Sequence, residues 1–199
     1  VCVNEYAGAS RALACNDDVQ ISLDDSCKAT IGADMILEGG PYGCYDDYVV
    51  EVRDWVTNAL VDRCTNQAGP QIDCRDIGRE FKVTVRDPET GNSCWGHVRV
   101  EDKLAPRLTC PADTCVPCHS SIDPSVIGLP TVVECLAGTC TPVYGCNSYS
   151  LSYKDIVAQG NCALGYDRRV TRIWTAVDAS GNKGTCTQII TVGVAALDV

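Results

Sequence analysis

The chain has very little of what most functional classes need. It carries one phenylalanine, one methionine and two histidines among 199 residues, and no apolar run approaches the roughly 20 residues of a membrane-spanning helix. Membrane insertion is not expected. There is no initiator methionine and no basic-then-apolar leader, so the expectation is a mature or excised piece. Sixteen basic side chains against 26 acidic ones give a formal charge of −10, which disfavours a nucleic-acid partner and anionic lipid. The sequence contains no G-x-S-x-G elbow, no H-E-x-x-H and no phosphate-cradling glycine loop. A cysteine nucleophile would need a free thiolate and a base. The expectation is a protein without catalytic residues. Acidic doublets such as Asp17-Asp18, Asp24-Asp25 and Asp46-Asp47 match no EF-hand loop or calcium-binding nonapeptide, so they read as turn and solvation residues, with no metal site expected.

What is abundant is cysteine, 15 in all. That number fits an oxidising, extracellular compartment and makes disulfides the default. Cys64 and Cys74 bracket a short polar loop that a local disulfide would close.

A repeat organises the chain. From Val170 to Val192, VTRIWTAVDASGNKGTCTQIITV, two alternating runs flank an Asp-to-Gly-Asn turn, the pattern of a hairpin. Phe81 to Val100, FKVTVRDPETGNSCWGHVRV, repeats the plan. Cys94 and Cys186 lie 186 − 94 = 92 residues apart, and Cys15 and Cys110 lie 110 − 15 = 95 apart. Matching offsets at both ends of the unit mean a tandem repeat. The domains expected are an N-terminal extended arm (1–14), a first repeat (15–105), a second repeat (106–192) and a C-terminal tail (193–199). Short strands, frequent turn signals and the lack of an amphipathic helix predict an all-β fold of antiparallel sandwiches. Asp123-Pro124-Ser125 marks a turn, and a single helical turn is conceivable at Lys154 to Gly160. Trp95 and Trp174 sit in alternating strands and read as core or sheet-face packing residues.

The run LTCPADTCVPC, followed by IDPSVIG and closed by RIWTAVDASGNKGTCTQIITV, resembles a hyalin-type (HYR-like) repeat, an immunoglobulin-like sandwich, over nearly all of residues 106–192. Residues 15–105, with CNDDVQISLDDSC, ADMILEGGPYGCYDDY and GNSCWGHVRVEDKLAP, are similar to a companion repeat of very large secreted bacterial surface proteins. The resemblance implies two tandem immunoglobulin-like domains with roles in adhesion and cell-surface architecture. The first and last strands of such a sandwich are neighbours, so it also implies Cys15 with Cys94 and Cys110 with Cys186. Further pairs expected are Cys27 with Cys44 and Cys135 with Cys162. Cys115, Cys140 and Cys146 depart from the usual pattern and, with Cys118, cannot be assigned partners from sequence.

Two features stand outside this scheme. Cys115-Val116-Pro117-Cys118-His119 matches C-x-x-C-H, the attachment motif of c-type haem, with His97 as a conceivable second axial ligand. An extracellular haem electron carrier is therefore the alternative to a cofactor-free structural module. Cys2 lies before both repeats, and fifteen cysteines cannot all pair within one chain. An arm with a leftover thiol suggests a head-to-tail contact, in which it adds a strand to the next subunit and a disulfide locks a homopolymer. Other partners expected are cell-surface or extracellular-matrix components.

Overall fold

The computed structural model describes residues 12–64, 69–135, 148–161 and 165–193. The chain forms two compact units, with the change from one to the other at Leu104 and Ala105. Both are all-β sandwiches, each with a four-stranded and a two-stranded sheet.

The first unit contains β1 (Asp18–Ser22), β2 (Lys28–Thr30), β3 (Val49–Asp54), β4 (Gln71–Asp73), β5 (Glu80–Arg86) and β6 (Ser93–Glu101). One sheet has the order β1-β6-β5-β3, and β2 pairs with β4 in a second. Alternation in the sequence decides which faces are buried. Phe81, Val83 and Val85 of β5 are fully buried, with Val52, Val98 and Val100 beside them. They pack on Ile31, Ile36, Val61 and Ile72 in one hydrophobic core. The odd-numbered residues of β6 from Trp95 to Arg99 point the other way, outward, because Gly96 and Val98 are buried. Gly96 has a steric reason to lack a side chain, since a Cβ there would lie 2.5 Å from the Asn16 carbonyl.

The second unit contains β7 (Arg107–Thr109), β8 (Thr114–Val116), a one-turn helix α1 (Pro124–Ile127), β9 (Thr131–Val133), β10 (Tyr149–Asn161), β11 (Tyr166–Asp178) and β12 (Lys183–Gly193). Its larger sheet runs β10-β11-β12-β8, and β7 pairs with β9. Strand for strand, β8, β12, β11 and β10 take the places of β1, β6, β5 and β3, so the repeat extends to sheet order. Trp174, Val170 and Ala176 of β11 and Ile190 and Val192 of β12 form the buried face. That face also carries Arg172 and Gln188, both essentially inaccessible to solvent.

Three expectations need correction. The larger sheets are not purely antiparallel: β1 runs parallel to β6, and β8 parallel to β12. In both units the chain first pairs antiparallel on one side, through Cys15 with Leu37 or β7 with β9, and then crosses to lie beside the last strand. The helical turn considered at Lys154 to Gly160 is part of the 13-residue strand β10. Cross-strand partners in β11 for every residue from Lys154 to Gln159 fix that segment as extended, overriding local propensity. The one α-helix among the described residues is instead α1, where Asp123-Pro124-Ser125 reads as a turn. Asp123 caps it by accepting from the Ser125 amide, and proline occupies its first turn.

Both closing hairpins turn on an aspartate. Asp87 accepts from the Glu89 and Thr90 amides, and Asp178 from the Asn182 amide and side chain. Gly91 and Gly181 follow at φ 77° and 90°, a backbone region that glycine enters without a Cβ penalty.

Candidate functional site

The cysteines come first because they fix each unit's edge. Cys15 is bonded to Cys94 and Cys110 to Cys186, with Cα separations of 5.6 and 5.7 Å. Each bond continues the register of a parallel strand pair. Asp18 lies beside His97, an offset of 97 − 18 = 79, and the disulfide spans the same 79 residues. Thr114 lies beside Ile190, an offset of 190 − 114 = 76, again equal to the disulfide span. The crosslink therefore sits at the head of the short parallel ladder and holds β1 against β6 in one unit and β8 against β12 in the other. Cys27, Cys44, Cys64, Cys74 and Cys135 are each disulfide-bonded as well. Cys2, Cys140, Cys146 and Cys162 lie outside the described residues, and with them the expected Cys135–Cys162 pair and most of the N-terminal arm. The last residues of that arm belong to the first unit: Ala14 donates to the Tyr42 hydroxyl, and its carbonyl accepts from the Glu38 amide.

Cys115 and Cys118 are free thiols, the first exposed on β8 and the second half-buried just after it. His119 follows in a tight turn at φ 66°. His97, the other histidine of the C-x-x-C-H alternative, belongs to β6 of the first unit.

The acidic doublets have local work. One Asp24 carboxylate oxygen accepts from the Ser26 amide and hydroxyl and from the Lys28 amide, closing the turn into β2. A carboxylate-guanidinium network ties the loops of the first unit together. Arg63 and Arg79 both bind the fully buried Asp76, and Arg79 also reaches Asp54 at 2.5 Å. The Thr57 amide and hydroxyl, then Arg79 and the Val56 amide, hold the Asp54 carboxyl down to a pKa of about 2. In the second unit Asp155 takes both Nε and Nη2 of Arg172, at 2.7 and 2.8 Å. The remaining nitrogen donates to the Ile122 carbonyl, and the guanidinium lies 4.3 Å from the Tyr153 ring centre. These are structural networks built to hold strands and loops.

One surface differs from the rest, the outer face of the first unit's larger sheet. Trp95 is 49% exposed there, whereas Trp174 is buried in the second unit. Trp55, just past β3, is 44% exposed, and its ring lies 6.1 Å from Trp95 and 4.5 Å from His97. The Lys82 ammonium sits 4.9 Å from the Trp95 ring centre. Trp55 carries no periodic signal in the sequence because it belongs to a turn. The side of Trp95 could have been read from its neighbour, since Cys94 forms an interior bond and adjacent strand residues face opposite ways.

No protein-family model and no curated protein matches this chain. Among solved structures it is similar to Drosophila N-cadherin EC1-4, at 12% identity and a TM-score of 0.27, over 92% of this chain and 50% of that one. It is similar also to the human desmocollin-1 ectodomain, at 10% identity and a TM-score of 0.28, over 94% and 42%. For Titin-A168169 the values are 10% and 0.32, over 92% and 100%. The chain thus spans about half the length of the N-cadherin structure. Likeness at these TM-scores carries no argument about function.

Proposed function

We propose that the chain is an extracellular structural or adhesive module without catalytic activity, built from two disulfide-stapled repeats of HYR-like type. The observation that carries this reading is the pair of long-range staples, each bonding the segment just before a parallel strand, β1 or β8, to the last strand of its unit. Such crosslinks persist in oxidising compartments and hold a domain closed against local opening. No helix among the described residues is long and apolar enough to cross a membrane. The finer part of the proposal is self-association: the N-terminal arm adds a strand to the next copy and Cys2 locks it, giving a head-to-tail homopolymer that contacts cell-surface or matrix components.

The test is electrophoresis of native material with and without reductant. Reducible multimers are expected, and they should vanish on Cys2→Ser or on deletion of residues 1–14 while the folded monomer persists. Multimers unchanged by either alteration would refute the arm. The second reading, a c-type haem carrier, is kept because Cys115 and Cys118 are free to form thioethers. A Soret band that survives acid-acetone extraction would establish it in place of the cofactor-free module.

A further inference from the structure

The outer face of the first unit's larger sheet is arranged in cross-strand rows. Leu60, Arg53, Lys82, His97 and Asp18 lie side by side, each the register partner of the next. Thr84 and Trp95 form part of the adjoining row. The Trp55 ring reaches across to both Trp95 and His97. Charges on this face are almost all neutralised in place. Arg53 pairs with Glu51 at 2.6 Å, and Arg99 with Asp18 at 3.3 Å and Glu80 at 3.5 Å. His97 has Asp18 and Glu80 within 3.7 and 3.4 Å. Lys82 and Arg86, both on the outward side of β5, are the exceptions. Neither has a carboxylate partner among the described residues, and the Lys82 ammonium rests against Trp95. Uncompensated cations on a face with two exposed indoles are conspicuous in a chain with 26 acidic and 16 basic residues.

Trp55 and Trp95 form an aromatic platform, with exposed Val56 next to Trp55 in the chain and exposed Leu60 at the end of the row. This platform suits a ligand that is one or two rings wide. It also needs a ligand with an apolar face for the indoles, polar edges for the ion-paired rim, and an anionic group for Lys82. A pyranose ring presents axial C–H groups on one face and hydroxyls around its edge, and a uronic acid carries its carboxylate one carbon off that ring. We propose that this face is a binding site for a carboxylated glycan, with Trp55 and Trp95 stacking on sugar rings and Lys82 pairing with the carboxylate. The proposal adds a ligand to the adhesive reading, on a surface that neither the staples nor the arm uses.

The experiment is isothermal titration of the full chain with polygalacturonate and with its fully methyl-esterified form, at low and moderate salt. The acid should bind, and the ester, which keeps the sugar faces but loses the charge, should bind at least tenfold more weakly. Trp95→Ala and Trp55→Ala should each lose at least tenfold, with native disulfides and circular dichroism showing the fold intact. Lys82→Gln should abolish the preference for acid over ester, and Lys82→Arg should retain it. Equal binding of acid and ester, absence of binding, or full binding by both tryptophan variants would overturn the site. If sedimentation shows a dimer that Trp95→Ala dissociates, the face belongs to a second copy and the glycan proposal falls. Reducible multimers dependent on Cys2 are read separately on gels, so the two proposals fail independently.

Discussion

Single residues in the second unit show where alternation identifies a position but not its chemistry. Arg172 and Gln188 occupy inward positions that a hydrophobic pattern would fill with aliphatic side chains, and both are buried. Arg172 is tolerated because Asp155 and the Ile122 carbonyl engage all three of its nitrogens. Gln188 is half satisfied: its Nε2 donates to the Ala112 carbonyl, and its Oε1 has no partner among the described residues. Breaking a buried ion pair by removing one member leaves the other charged and desolvated. Asp155→Ala should therefore destabilise the second unit by about 3 kcal/mol in urea unfolding, and adding Arg172→Met should recover most of it. Asp54 gives a pH signature in the first unit. Its folded pKa of about 2 lies below the ordinary aspartate value of 3.8, so its contribution is present above that ordinary value and is lost as pH falls toward 2. Acid titration of stability should show a fall between about pH 4 and pH 2, and Asp54→Asn should flatten it.

At the scale of elements, a staple and a short parallel ladder act as one device. Three or five parallel pairs are a weak edge by themselves, and the covalent bond in the same register prevents β1 or β8 from peeling away. The loop closed by Cys15 and Cys94 spans 79 residues, which in the chain-entropy model is worth about 4 kcal/mol. The double substitution Cys15→Ala with Cys94→Ala should lower the stability of the first unit by that amount. Trp55 and Trp95 report on the first unit and Trp174 on the second. Fluorescence of variants retaining one set or the other should show the first transition moving to lower denaturant while the second stays in place.

For the whole molecule, the repeat is the level at which the chain was most legible. Near-equal cysteine offsets and two hairpins built on one plan pointed to two copies of one fold, and the sheet orders agree strand by strand. The hairpins could be read because their signals are local: alternation, an aspartate at the turn and a glycine in the left-handed region. Strands β1 and β8 could not be oriented this way. Their parallel placement depends on a chain crossing some 80 residues from the partner strand, and no short window of sequence records it. Parity also acts at this scale. With Cys115 and Cys118 free, 15 − 2 = 13 cysteines remain, an odd number, so at least one more lacks a partner within the chain.

By itself the sequence determined the all-β class, the duplication, the two aspartate-centred hairpins and the oxidising chemistry. Each of these is carried by residue type and short-range spacing, and the choice of Cys15 with Cys94 and Cys110 with Cys186 rested on family resemblance. Tertiary structure alone decided the rest. It made Lys154 to Gly160 a strand, because neighbouring β11 supplies hydrogen-bond partners along its length. It sent Trp174 inward, because Trp174 lies opposite an interior cysteine across the hairpin. It brought Trp55 from a turn onto the face that holds Trp95, His97 and Lys82, a proximity created by strands β3, β5 and β6 lying side by side.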